Sequence, residues 1–331
     1  MTTLFRWMCL LFMLSMTSLS GSGMAALYVD APITHDLDLN QVQLVVVAAP
    51  EFKERLYDRT MSLFANADLP LPPRDQPYSP LGATLKLTLN PTPLGDTCPG
   101  NVLYEPSLAL IEQVIVPRNS EVMQDITWST GTASQARAPV AVDELETDLD
   151  GLVQTFITNY KLGNPGWPSQ ETRHDRKTSE SPRVDQRPAH PVVSELPDAR
   201  AGVSLIGLDV DTLHLSVLAG RLSNTLAARA LDQLTHAGLP VSLDQRGNDA
   251  AILSLELIRR SIEVQCPGKT LYEPGLFLVE QVRIKRNPQI LIWSDTWVRE
   301  ALQVVPPVSL QQLESDQDAL LKQFIRSFQA K

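Results

Sequence analysis

Two glutamates are the residues of this sequence best placed to do chemistry. Glu112 shares a period of two with Leu108, Leu110, Val114 and Val116, and Glu280 does so with Leu276, Leu278, Val282 and Ile284. In a strand, that period sets each acid on the apolar face. A buried carboxylate is costly unless hydrogen-bonded. Each acid is therefore either a general acid or ligand-binding group, or a structural group held by its surroundings. Tyr104 and Tyr272, in the preceding loops, are the candidate donors or ligand contacts. No base or nucleophile stands at a recognised spacing from either acid, so the structural role is preferred.

The remaining reactive residues are sparse. Cys98 and Cys266 are the only cysteines beyond the N-terminal apolar run. A bond between them closes a loop worth at most roughly 5 kcal/mol in the chain-entropy model, and it requires equivalent loops to meet at a pseudo-twofold axis. Two free or partly buried thiols are the preferred expectation. His35, His174, His190, His214 and His236 are scattered, without a metal-ligand spacing. There is no nucleophile elbow and no phosphate-cradling glycine loop. Neither metal nor cofactor is expected.

The elements that position these residues come in duplicate. CPGNVLYEPSLALIEQVIVPRN (98–119) and CPGKTLYEPGLFLVEQVRIKRN (266–287) agree at 14 of 22 positions at an offset of 168. The same offset aligns Ala83 to Leu87 with Ala251 to Leu255, and Leu145 to Asp150 with Leu313 to Asp318. Trp128-Ser129 pairs with Trp293-Ser294 if the first hairpin carries three extra residues. A repeat of this period defines the organisation: a first module over 27–162, a proline-rich linker over 163–199 and a second module over 200–331.

Each module opens with an alternating strand, Val42 to Val46 or Leu213 to Val217. A helix follows, with Phe52, Leu56, Met61 and Phe64, or Leu222, Leu226, Leu231 and Leu234, on its apolar face. Next come a strand through Leu85 or Leu253, the Cys-Pro-Gly loop, and a hairpin of two strands turning at Asn119 or Asn287. An acidic-start helix, Leu145 to Tyr160 or Leu313 to Phe328, closes the module. The order β-α-β-β-β-α predicts an α+β fold, a mostly antiparallel sheet with two helices on one face.

Trp128-Ser129-Thr130-Gly131, the run Leu152 to Tyr160, and Gly163-Asn164-Pro165 resemble the C-terminal half of a widespread group of small exported bacterial proteins without assigned activity. The second copy departs from that pattern after Phe324-Ile325. The element order is also similar to small periplasmic modules such as the N-terminal domain of TolB, a likeness of topology that implies fold alone.

Residues 1–26 carry Arg6 as their one charge and an apolar run from Trp7 to Met16 before small residues. This is the layout of a signal peptide, cleaved near Ala26, and implies a periplasmic protein without an integral span. The net charge of −10 argues against nucleic acid. Residues 27–161 hold 8 basic and 18 acidic side chains, a net of −10, whereas residues 201–331 are nearly balanced. On the face opposite Glu280, the second copy carries Phe277, Arg283 and Lys285 where the first has Ala109, Ile115 and Pro117. That basic strip could dock on an acidic surface of the first module or of an envelope partner. Read whole, the sequence favours a non-catalytic envelope protein, an interaction or assembly accessory, over an enzyme. The alternative is an enzyme or small-ligand binder using a cleft near Glu112 and Glu280.

Overall fold

The computed structural model describes residues 33–74, 82–165, 204–243 and 251–330. The expected signal peptide and most of the expected linker lie outside these residues.

The N-terminal half begins with strand β1 (Val42–Val47), whose alternation buries Val42, Leu44 and Val46. Helix α1 (Pro50–Asn66) starts on a proline, whose missing N–H is no loss in a first turn. β2 (Ala83–Thr88) returns parallel to β1, with Leu44 beside Leu85. Short strands β3 (Thr92–Pro93) and β4 (Val102–Tyr104) flank the Cys98 loop, and β5 (Ser107–Val116) runs antiparallel to β2. β6 (Glu121–Gly131) completes the hairpin, β7 (Gln135–Arg137) pairs with β4, and helix α2 (Val142–Gly163) closes the half. Phe64 of α1 and Phe156 of α2 are fully buried over Leu85, Leu87, Leu108 and Leu110.

The C-terminal half presents the same succession: β8 (His214–Leu218), α3 (Ser223–His236), β9 (Ile252–Ser261), β10 (Thr270–Ile284), β11 (Asn287–Glu300), β12 (Gln303–Val305) and α4 (Leu310–Gln329). Gly238 ends α3 at φ +77, the left-handed conformation that glycine adopts without strain. β10 is one continuous strand where the N-terminal half has β4 and β5. The expected pairing of Trp128 with Trp293 is corrected. Trp128 lies opposite Leu110 and edge-on to Phe156, and it is Trp297 that lies opposite Leu278 and edge-on to Phe324.

The four helices among the described residues lie against a nine-stranded sheet with the path β1-β2-β5-β10-β9-β8, β6 pairing with β5 and β11 with β10. Pairing is antiparallel except for β1 with β2 and β8 with β9. The fold is α+β, as expected. The halves share this sheet because β5 and β10 run past the ends of β2 and β9. Their tips pair antiparallel, Ile115 opposite Arg283 and Val114 opposite Ile284.

Candidate functional site

That strand register builds the site. Ile115 and Arg283 differ in number by 168, the same separation as Cys98 and Cys266. The tips therefore cross at one and the same position of each half, and continuing the register sets Glu112 opposite Arg286, Gln113 opposite Lys285, and Arg118 opposite Glu280. Every one of these contacts forms. Arg286 Nε donates to Glu112 Oε1 at 2.5 Å, and Arg118 Nε donates to Glu280 Oε1 at 2.8 Å. Lys285 donates its backbone N–H to the Gln113 carbonyl at 2.9 Å and its ammonium to Gln113 Oε1 at 2.8 Å.

Each arginine also reaches a loop of the opposite half. Arg118 Nη1 donates to the carbonyls of Ser204 and Ile206, both at 2.6 Å. Arg286 donates to the carbonyls of Ile33 and His35. Gly207, at φ +77, brings its loop so close that a Cβ there would stand 2.9 Å from the Arg118 carbonyl oxygen. The latches are largely out of water: the Arg118 and Glu280 side chains are each 10% exposed, and those of Arg286 and Glu112 are 17% and 5%. Buried pairs of this kind cost much to break on one side only.

A bulge supplies the remaining hydrogen bond. β5 and β6 slip register between Leu110 and Ile111, leaving Thr127 as the extra residue, and β10 and β11 slip likewise between Leu278 and Val279, leaving Thr296. Bulges re-aim side chains. Here Thr127 donates its hydroxyl to Glu112 Oε2 at 2.6 Å, and Thr296 donates to Glu280 Oε2. Each acid thus receives an arginine and a threonine. The seam is filled above by Val114, Val116, Val282, Ile284, Ile290 and Ile292, which form one buried cluster drawn from both halves.

The structure does not bring the two glutamates into a common cleft. Each sits opposite an arginine at its own end of the crossing, roughly 20 Å from the other by strand rise. Neither tyrosine serves them, correcting that expectation. Tyr104 donates to Asp148 Oδ2 at 2.8 Å, pinning β4 to α2, and its phenol pKa is raised by burial and then by that carboxylate. Tyr272 lies beside Asp316 and is raised for the same two reasons.

The preference for free thiols is also corrected. Cys98 and Cys266 are disulfide-bonded, with Cα atoms 5.5 Å apart. Around them Leu94, Leu103 and Ala136 meet Ile262, Leu271 and Val304 in a second cluster shared by the halves. Asn101 Nδ2 donates across it to the Gln265 carbonyl at 3.1 Å.

The basic strip does lie at the seam, but against neutral residues: Arg283 faces Ile115 and Lys285 binds Gln113. Among the described residues no carboxylate pairs with either cation. Phe277 lies over Gly275 of its own strand, where a Cβ would come 2.5 Å from its ring. Sequence reasoning missed Arg118 and Arg286, although both stand in the matched 22-residue stretches six residues after the glutamates, in the turns that follow β5 and β10. A shallow groove between α3 and α4, lined by His236, Lys322 and Arg326 among others, is remote from the seam. No group of metal-ligating side chains occurs among the described residues.

Fold and seam define the class: an α+β protein whose halves share one sheet and are pinned by two reciprocal arginine–glutamate latches and a disulfide. No family model matches the chain, and no curated protein does. Solved structures similar over part of it include the following three. An uncharacterized protein is 11% identical, over 38% of this chain and 93% of that one, with a TM-score of 0.21. A minor lipoprotein from Acinetobacter baumannii is 20% identical, over 36% and 91%, with a TM-score of 0.19. The rare lipoprotein B from Shewanella oneidensis is 18% identical, over 35% and 86%, with a TM-score of 0.14. Likenesses this weak say nothing about what the chain does. Among the described residues no helix is long and apolar enough to cross a membrane.

Proposed function

We propose that this chain is a non-catalytic protein of the bacterial envelope, which holds two modules as one rigid platform for a protein partner. The observation that carries the reading is the use of Glu112 and Glu280. The acids best placed for chemistry are each engaged by a largely buried arginine and a threonine of the seam, where they fasten the modules to each other. The disulfide fits an oxidising compartment, and the layout of residues 1–26 fits export to it.

The test is made in a Gram-negative host expressing the full chain with a photo-crosslinking residue at Val122 or Leu291, both exposed beside the seam. The expected result is a periplasmic chain that starts near Ala26, has no free thiol, and crosslinks to one protein reproducibly. A chain that keeps residues 1–20 with both thiols reduced, or one that crosslinks to nothing above background, overturns the proposal.

A further inference from the structure

On the sheet face opposite Glu112 and Glu280, one cross-strand row runs over the seam. Val122 lies opposite Ile115, Ile115 opposite Arg283, and Arg283 opposite Leu291, so β6, β5, β10 and β11 each give it one residue. Residues directly opposite in an antiparallel ladder share a face. The row is in contact with water: Val122 is 47% and Leu291 44% exposed, Arg283 is exposed, and Ile115 is half-buried. Gln124, Gln113 and Lys285 make the next row on one side, and Gln281 with Trp293 the next on the other. Lys285 is exposed and Trp293 half-buried.

Two exposed cations thus stand among apolar and neutral residues, in a chain whose net charge is −10. A merely solvated face tends to set carboxylates opposite its cations, whereas Arg283 here faces Ile115 and Leu291 and Lys285 holds Gln113. In the N-terminal half the equivalent positions are Ile115 and Pro117. The charge is therefore particular to one side of the seam, while the exposed apolar ends, Val122 and Leu291, come from both.

We infer that this row is the docking strip of the platform, and that its occupant is an extended acidic segment of a partner protein with the pattern apolar-x-acid-x-apolar. Neighbouring strands lie about 4.8 Å apart, so Val122 and Leu291 are separated by roughly 14 Å, the reach of four residues of extended chain at about 3.3 Å each. In such a segment residues i, i+2 and i+4 share a side. The first and last cover Val122 and Leu291, and the acid between them meets Arg283, with Lys285 one row away. An anionic bilayer fits less well. Two cations are few beside the clusters of about four to eight that mark lipid-binding segments, and a chain of net charge −10 is repelled as a whole. The assignment rests on the platform reading, and the two fail separately. Crosslinking at Val122 or Leu291 tests whether a partner is there, and charge reversal tests what that partner carries.

The probe is a phage-displayed library of random 12-residue peptides, selected on the full oxidised mature chain, with enriched peptides remade in solution. The expected peptides carry Asp or Glu two residues from an apolar residue on each side. Their binding should weaken as salt rises, since exposed charges are screened within roughly 10 Å at about 0.1 M. Arg283→Glu with Lys285→Glu is expected to weaken binding at least tenfold, and replacing the acid of the peptide by Lys should restore binding to that variant. Val122→Ser with Leu291→Ser is expected to weaken binding several-fold while leaving its salt dependence in place. Five outcomes overturn the inference: no enriched peptide, enriched peptides without the acid, affinity indifferent to the reversal, self-association of the chain that the reversal abolishes, or binding to vesicles of phosphatidylglycerol and phosphatidylethanolamine that it abolishes. The last two would assign the strip to a second copy or to the membrane.

Discussion

Removing the Glu112 carboxylate should open the seam without unfolding either half. In Glu112→Leu, Arg286 stays between β5 and the 33–35 loop with carbonyls as its remaining partners, and Thr127 loses its acceptor. Truncating one member of a buried ion pair costs about 3–5 kcal/mol. At about 3 kcal/mol, the opening equilibrium of the seam shifts by roughly two orders of magnitude, tenfold for each 1.4 kcal/mol. The reporter is the Lys285 amide, bonded across the seam to the Gln113 carbonyl at 2.9 Å. Native-state hydrogen exchange reads such local opening separately from global unfolding. The Lys285 amide should exchange about a hundredfold faster, while amides around fully buried Leu85 hold their rate. Adding Arg286→Met should recover part of the loss, because no charge is then left unpaired. Recovery stays partial, since the carbonyls of Ile33 and His35 lose their donor as well. An unchanged Lys285 rate in the single variant, or losses that simply add in the double variant, would refute the latch.

Three further outcomes are expected. Replacing both cysteines, Cys98→Ala with Cys266→Ala, frees a loop of 168 residues and should lower stability to denaturant by up to about 5 kcal/mol in the chain-entropy model. Stability should fall above about pH 10, where an unfolded tyrosine loses its proton. Tyr160 is pushed up to about 12 by burial and then by Asp38, and Tyr104 and Tyr272 are raised too. The folded chain thus holds more protons there than the unfolded chain. The contribution is complete below about pH 10 and is lost as pH climbs through the folded values; a pH series of urea midpoints checks the slope. Arg283→Glu with Lys285→Glu should change the unfolding free energy, read from urea titrations, by less than about 1 kcal/mol, with little salt dependence, since the strip meets neutral residues and the Lys285 N–H survives.

The elements were legible because their signal is local. Alternation in 107–116 and the helical stripe through Phe156 each need only neighbouring residues, and β5 and α2 form there, α2 running a few residues past the expected ends. The seam was not legible, since its partners are distant in sequence. Glu112 lies near the end of β5 and Arg118 in the turn just beyond it, roughly 20 Å apart by strand rise and too far to pair with each other; only an antiparallel crossing of two such strands brings acid to base. The tryptophan pairing failed for a related reason. Trp-Ser occurs in both halves and invites alignment, yet the unit that repeats is Thr127-Trp128 with Thr296-Trp297, because the bulge needs the threonine. The disulfide turned on the same unseen crossing, which brings two Cys-Pro-Gly loops together.

The residues on the crossing explain why the halves have to differ. A sheet built from two C-terminal halves in this register would set Arg283 against its own copy, and like charges directly opposite destabilise a strand pair. A sheet built from two N-terminal halves would set Pro117 where Lys285 now stands, opposite Gln113, and proline has no N–H for the bond that Lys285 makes. In the chain as it is, Arg283 meets Ile115 and Lys285 meets Gln113. Both latches survive any of the three pairings, because each half carries its own glutamate and its own arginine. The latches therefore supply hold, and the few positions at the crossing supply the preference of one half for the other. That division leaves the outer strands free to diverge in turn: Ser242 bridges to β8, and Pro72, at the matching place beside β1, has no N–H for such a bond.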